Sequence, residues 1–322
     1  MTEMPTYAEW ARLTTVAWVQ NLPDVVCKAH KYGVKAIASP GGVYADPILT
    51  GNRTLREEWA KNLLKAVEAR FLDGITFDYE QPIAALSDEA RWYTELVEIT
   101  RDVFHAANSG YQVTVCVAWS PDGIDDRDYD YYGLAQASDA LYIMDYDTQS
   151  WIFGPCIAGA NAPIAGTRHG VQRYLDLGIS PSKLILGVPW YGYRYPCLPG
   201  TASDARFCPI KEVPFRGVNC SDAAGRELPY DSLMKRFQHF NTTPMMRDHS
   251  TMSPYFNTLE DGIVYQYHFD DEMSLKLKYA YAHAKRLRGV GPFTFQMVSN
   301  PSIWEAFQVF QVPNRLPDLD KS

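Results

Sequence analysis

The feature that most constrains this chain is a rhythm: short β-branched or apolar runs alternate with amphipathic helical stretches from residue 13 to residue 191. Strands are expected at 13–19, 34–39 (closed by Pro40-Gly41-Gly42), 73–80, 112–119, 139–147 and 184–191. Helices are expected at 22–31 and 168–178. Two more open at capping residues. Thr54, with Glu57 three residues on, reads as a capping box ahead of the stripe Trp59, Leu63, Val67 and Phe71. Ser87 opens a helix with the stripe Trp92, Leu96, Ile99 and Val103, ending at Asn108-Ser109-Gly110.

Residues 196–262 break the rhythm with Pro, Gly, three cysteines and two glycosylation sequons, and read as an insertion. A strand at 264–269, a helix at 273–288, a strand at 289–295 and a helix at 302–310 follow. Repeated βα units with short loops bury parallel strands between helices. Seven barrel-type strands (near 13, 34, 73, 112, 140, 184 and 289) give an α/β fold of the (β/α)8 barrel type. Its first strand is missing, since the ten residues before Ala11 supply none, and an α+β subdomain is inserted between the seventh and eighth strands. The expected division is 1–195 for the first part of the barrel, 196–271 for the inserted subdomain and 272–322 for the last part. An open doubly wound sheet is the structural alternative, but no Gly-rich phosphate loop supports it.

Within this rhythm one stretch carries chemistry: Asp73-Gly74-Ile75-Thr76-Phe77-Asp78-Tyr79-Glu80. Read as a strand, it turns Thr76, Asp78 and Glu80 to one face, because side chains alternate with period two. Two residues rise roughly 6.6 Å, close enough for each carboxylate to influence the other's protonation. Acidic groups on a buried strand are costly unless paired, solvated or used. The plain alternative is a half-exposed edge strand with an acidic outer face.

Composition narrows the partners. A net charge of -8 with no basic run excludes a nucleic-acid footprint. No apolar run approaches the roughly 20 residues that span a bilayer, so no membrane partner is expected. The 21 Tyr and 8 Trp fit either an aromatic core or the flat faces of a sugar cleft. Cys197, Cys208 and Cys220 crowd the insertion without CxxC spacing, and a disulfide or two there is favoured over zinc. Sequons at Asn52, Asn219 and Asn241 point with the cysteines to the secretory route, although residues 1–10 show no signal-peptide pattern. The seven His are scattered, and His268 is read as a surface or packing residue. No metal and no cofactor are expected, and no GxSxG elbow supports a serine hydrolase.

At the acidic stretch the chain resembles the family 18 glycoside hydrolases, whose fourth barrel strand carries Asp-Gly followed by Asp-x-Asp-x-Glu. The sixth-strand motif of that family, Met-x-Tyr-Asp, stands here as Met144-Asp145-Tyr146-Asp147, followed by Asn161-Ala162-Pro163. Residues 117–121, 187–193, 213–217, 220–226 and 286–289 are similar to a lysosomal branch acting on chitobiose. Thr76 stands where most of the family has Asp, and Phe293 where the family places a Trp under the sugar.

The resemblance implies a retaining glycosidase whose substrate supplies its own nucleophile, an exception to the two-carboxylate scheme. Glu80 is then the general acid and later the base. Asp78 holds the N–H of the 2-acetamido group, Tyr146 hydrogen-bonds its oxygen, and Asp147 sets the geometry of that pocket. Trp119, Met144, Trp190, Tyr191 and Phe293 are the expected substrate-binding walls. The implied substrate is β-1,4-linked N-acetylglucosamine in the chitobiose core of degraded N-glycans, cut from the reducing end by a lysosomal or secreted monomer. A general chitinase, an endo-N-acetylglucosaminidase and a silent sugar-binding lectin are the alternatives.

Overall fold

The computed structural model describes residues 4–40, 49–148, 155–239 and 241–311. Gly41 and Gly42, expected to close the second strand, lie outside the described residues, as do residues 312–322 of the last expected part. The chain divides into two compact units, one of Met4–Ile143 with Arg173–Ile185, the other chiefly of Met144–Gln172 with the chain from Leu186 onwards.

In the first unit the order is α1 (Tyr7–Trp10), β1 (Thr15–Ala17), α2 (Pro23–Lys31), β2 (Lys35–Ile37), α3 (Arg53–Glu68), β3 (Gly74–Phe77), α4 (Asp88–Ala107), β4 (Gln112–Val117), α5 (Tyr131–Ala137) and β5 (Ala140–Met144). β1 pairs with β2 in parallel, a bridge from Ala38 to Ile75 joins β2 to β3, and β4 and β5 continue the parallel order. All four residues of β3 are buried, as a strand covered on both faces requires. Phe77 meets Trp59 of α3 and Tyr93 of α4 at ring-centroid distances of 5.9 and 6.2 Å.

The turns into the strands are tied by side chains. Asp73 Oδ2 accepts the Ala36 N–H at 2.7 Å and pairs with His30 at 2.8 Å. Asp139 Oδ2 repeats this on Val113 N–H at 2.7 Å, beside His105. Gly74 has φ +143°, and a Cβ there would lie 1.9 Å from the Gln112 carbonyl oxygen, so this close approach of β3 to β4 needs glycine.

Several local expectations change. α3 is capped by Asn52, whose side chain accepts the Leu55 N–H, so Thr54 sits inside the helix and the capping box is not formed there. Phe71 lies past the helix at φ 55° and is 79% exposed, off the buried stripe. α4 does begin at Ser87, but it buries Tyr93, Leu96, Val97, Ile99, Thr100 and Phe104, leaving Trp92 and Val103 half-buried. β3 ends at Phe77, so Asp78 and Glu80 stand on the loop beyond the strand rather than on its face.

Between β5 and the later part of the chain runs α6 (Ile164–Asp176), leading to β6 (Leu184–Pro189). In the second unit follow β7 (Tyr191–Pro196), β8 (Arg226–Pro229), α7 (Tyr230–His239), β9 (Met246–Asp248), β10 (Ser253–Glu260), β11 (Ile263–His268), α8 (Glu272–Ala284), β12 (Gly289–Phe293), α9 (Pro301–Glu305) and α10 (Gln308–Gln311). The Asp145 N–H donates to the Gly187 carbonyl at 3.1 Å, and the Trp190 N–H to the Phe293 carbonyl at 2.9 Å. These bonds set the exits of β5, β6 and β12 side by side. The seven barrel-type strands expected from the sequence are each found among the described residues.

Five strands form a separate antiparallel sheet in the order β8-β7-β11-β10-β9. β10 and β11 are joined by Asp261-Gly262, both at positive φ (51° and 80°), the two-residue hairpin turn that favours such a dipeptide. The expected strand 184–191 is therefore two elements, broken at Trp190 as the chain turns from β6 into this sheet. The helix expected over 273–288 ends at Ala284, and the one over 302–310 is split into α9 and α10.

Disulfides join Cys156 to Cys220 and Cys197 to Cys208, so Cys220 pairs outside the cluster of three. His268 is buried, bonded to Gln266 Oε1 at 2.8 Å and stacked on Tyr255, and burial pushes its imidazole down to about 4. It is a neutral packing residue, not a surface one.

Candidate active site

In the first unit the loop leaving β3 carries Asp78, Tyr79 and Glu80. Asp78 is half-buried, and its carboxyl holds a proton up to about 6 instead of its usual 3.8. Burial is the main cause and the Glu80 charge adds to it, while the Arg127 charge and a hydrogen bond with Cys116 oppose it. Cys116 is buried on β4, 3.5 Å from the Thr76 hydroxyl. Thr76 and a thiol thus stand beside Asp78 at the position where the family pattern has a further carboxylate.

Glu80 is half-exposed, and its Oε2 accepts from Arg127 Nη1 at 2.9 Å. The second nitrogen, Nη2, donates to Asp125 Oδ2 at 2.9 Å. The Tyr129 hydroxyl donates towards the carbonyls of Tyr79 and Gln81, at 2.8 and 2.7 Å. Arg127 and Tyr129 were not legible as site residues. The only hint is a lone cation in the run Asp125-Asp126-Arg127-Asp128. Trp119 lies two residues beyond β4 and is half-buried.

In the second unit Met144-Asp145-Tyr146-Asp147 spans the end of β5 and the turn after it. Met144 and Tyr146 are buried, and Tyr146 stacks on Phe293 with ring centroids 5.4 Å apart. Asp147 has φ 53°, and its conformation is held from three sides. Its N–H donates to Asn161 Oδ1 at 2.7 Å, and its Oδ1 accepts from the hydroxyls of Tyr191 and Tyr193 at 2.7 and 2.9 Å. Burial first, then the Asp147 charge, push the Tyr191 phenol well above its ordinary value, so it stays a donor.

Tyr146, Asp147, Tyr191 and Phe293 are therefore brought together, with Tyr193 and Asn161 as additional members. Asp145, the residue between the two motif positions, is buried, accepts from Thr167 Oγ1 at 2.6 Å, and is pushed up to about 6 by burial. Trp190 departs from expectation. It is 1% exposed and packs on Trp304 and Phe307, at 4.8 and 5.5 Å, because the chain turns it into the aromatic core where β6 gives way to β7. Its ring is enclosed in that cluster rather than exposed.

Residues 6–297 match the family described as "Glycosyl hydrolases family 18". The chain belongs to this family. It is 40% identical over 285 residues to the di-N-acetylchitobiase of Homo sapiens, spanning 88% of this chain and 72% of that protein. It is also 40% identical over 327 residues to the probable di-N-acetylchitobiase 2 of Dictyostelium discoideum, spanning 96% of this chain and 83% of that one.

Among solved structures, a chitinase from Rhizomucor miehei superposes with a TM-score of 0.74 at 22% identity, covering 96% of this chain and 97% of that one. A family 18 chitinase from Cycas revoluta, solved in complex with (GlcNAc)4, gives 0.75 at 17% identity, with 94% of each chain covered. The strand–helix alternation is that of a TIM barrel, and this family 18 chain is a glycoside hydrolase.

Proposed function

We propose that this family 18 enzyme hydrolyses the β-1,4 bond of N-acetylglucosamine in the chitobiose core of degraded N-glycans, from the reducing end, with the substrate's own 2-acetamido group as nucleophile. The observation that carries the chemical part is the carboxyl pair beyond β3, in which Asp78 keeps its proton to about 6 beside Glu80. The substrate part rests on the 40% identity to di-N-acetylchitobiases.

In this reading Glu80 protonates the glycosidic oxygen and then, as a carboxylate, activates the water that opens the intermediate. Asp78 binds the acetamido N–H and turns its carbonyl oxygen towards the anomeric carbon. Tyr146 donates to that oxygen and holds it in line for attack on the anomeric carbon. Asp147, fixed by Tyr191, Tyr193 and Asn161, orients the group. Trp119, Met144, Tyr191 and Phe293 line the sugar, and no cofactor or metal takes part.

We further propose that residues 196–271 form an inserted subdomain, which the antiparallel sheet and α7 support. We also read the protein as a monomer, and a lysosomal or secreted location is supported by the two disulfides and by the exposure of Asn52, Asn219 and Asn241. The chemical reading is tested by Glu80→Gln, which keeps the shape and removes the proton source. Turnover should fall by about 10² to 10⁴-fold with oligosaccharide binding retained. Full turnover in that variant overturns the assignment.

A further inference from the structure

Glu80 stands three residues beyond the end of β3, so strand pairing does not fix its half-exposed side chain. The loop after β4 reaches it instead. Arg127 is buried, and its guanidinium makes three directed bonds: Nε to the Ile124 carbonyl at 3.3 Å, Nη2 to Asp125 Oδ2 and Nη1 to Glu80 Oε2, both at 2.9 Å. The loop is shaped for this by two consecutive left-handed residues, Asp125 and Asp126, at φ 56° and 59°. That backbone is strained for non-glycine residues and persists only where the surroundings hold it.

The same loop laces the segment around Glu80. Tyr129 donates towards the carbonyls of Tyr79 and Gln81, on either side of the acid. The Ile83 N–H donates to the Asp126 carbonyl, and the Asp128 N–H to the Ile83 carbonyl, each at 3.0 Å.

We propose that Arg127 is the positioning residue of the general acid, and that the 123–129 loop sets the place of Glu80 in the way a strand would have done. The proposal rests on Glu80 being that acid. A buried guanidinium needs a carboxylate partner, and Asp125 already supplies one. The bond to Glu80 goes beyond that need, and it ends on a half-exposed side chain that lies past the end of the strand. Because a planar guanidinium fixes direction while an ammonium does not, Lys should replace Arg127 only in part.

The test compares Arg127→Met, Arg127→Lys and Glu80→Gln on N-acetylglucosamine oligosaccharides, with melting curves for each. Arg127→Met should lower kcat by about 10- to 100-fold while KM changes by less than about threefold, the scale of a misplaced reacting group. Arg127→Lys should recover part of kcat. Removing the cation should also move the carboxylate limb of the kcat/KM profile to higher pH, since Arg127 opposes the raised proton affinity of Asp78. The titratable groups around Arg127 are Glu80, Asp125, Tyr129, Tyr131, Asp78 and Tyr174.

If Arg127→Met does not fold, Arg127→Lys, which leaves no unpaired carboxylate charge, decides alone. Wild-type kcat and an unchanged pH profile in folded variants overturn the proposal, and Arg127 is then a packing residue. A fully active Glu80→Gln variant instead removes the reading on which it rests, whatever the Arg127 variants do.

Discussion

Asp78→Asn separates stability from chemistry. The Asp78 carboxyl ordinarily releases its proton near 3.8 and here keeps it to about 6, mainly through burial and then through the Glu80 charge. The folded state therefore binds more protons than the unfolded chain between about pH 4 and pH 6, and stability must fall as pH rises through that window. At about 1.4 kcal/mol per pH unit, ionising Asp78 costs the folded protein about 3 kcal/mol at pH 7.5, an upper bound because the group keeps some solvent contact.

Asparagine has no charge to bury. The variant should match or fall below the wild type near pH 4, gain on it through pH 6, and stand up to about 3 kcal/mol above it at pH 7.5. Asp145, also pushed up to about 6, contributes the same slope to both proteins, so the difference between them is the readout. Urea midpoints at half-unit pH steps measure it, with turnover in the same samples expected to drop about 100-fold or more for loss of the acetamido-binding carboxyl. A stability gap that does not change between pH 4 and pH 7.5 would refute the burial argument.

Three other perturbations follow from single contacts. Tyr146→Phe removes the hydroxyl that holds the acetamido oxygen in line with the anomeric carbon and should slow turnover by about 10²-fold, read as kcat with stability unchanged. Gly74→Ala puts a Cβ against the Gln112 carbonyl at a backbone angle reserved for glycine, and should destabilise by more than about 2 kcal/mol in a denaturant titration. Lys278 and Asp270 form an ion pair at 2.6 Å, each 1% exposed, so Lys278→Met should cost about 3 to 5 kcal/mol by leaving the carboxylate buried and unpaired. Replacing both with apolar residues should recover most of that loss, and a failure to recover would count against the pairing.

Much of the barrel was legible because strands covered on both faces leave continuous apolar runs. The seven strand positions follow from such runs and from the helices between them. The boundaries were less legible. Asn52 and Thr54 are both good capping residues two positions apart, and only the Asn52 bond to the Leu55 N–H decides between them. The antiparallel sheet was hidden because β10, Ser253–Glu260, mixes Ser, Pro and Asn with its aromatics; the Asp261-Gly262 turn was the available signal.

The motif carboxylates and Tyr146 could be named because each belongs to a motif whose spacing is local. Arg127 could not, since its 47-residue separation from Glu80 leaves no pattern in the chain. Trp190 was misjudged as a sugar wall for a related reason: which way an aromatic faces at the junction of β6 and β7 is set by Trp304 and Phe307, more than 100 residues away.

The central claim is tested most directly by incubating the purified protein with chitobiose-type oligosaccharides, free or blocked at the reducing end, and identifying the products. Release of single N-acetylglucosamine units from the free substrates, with the blocked ones left intact, is the predicted result. Cleavage of both at the same rate, or of neither, contradicts it.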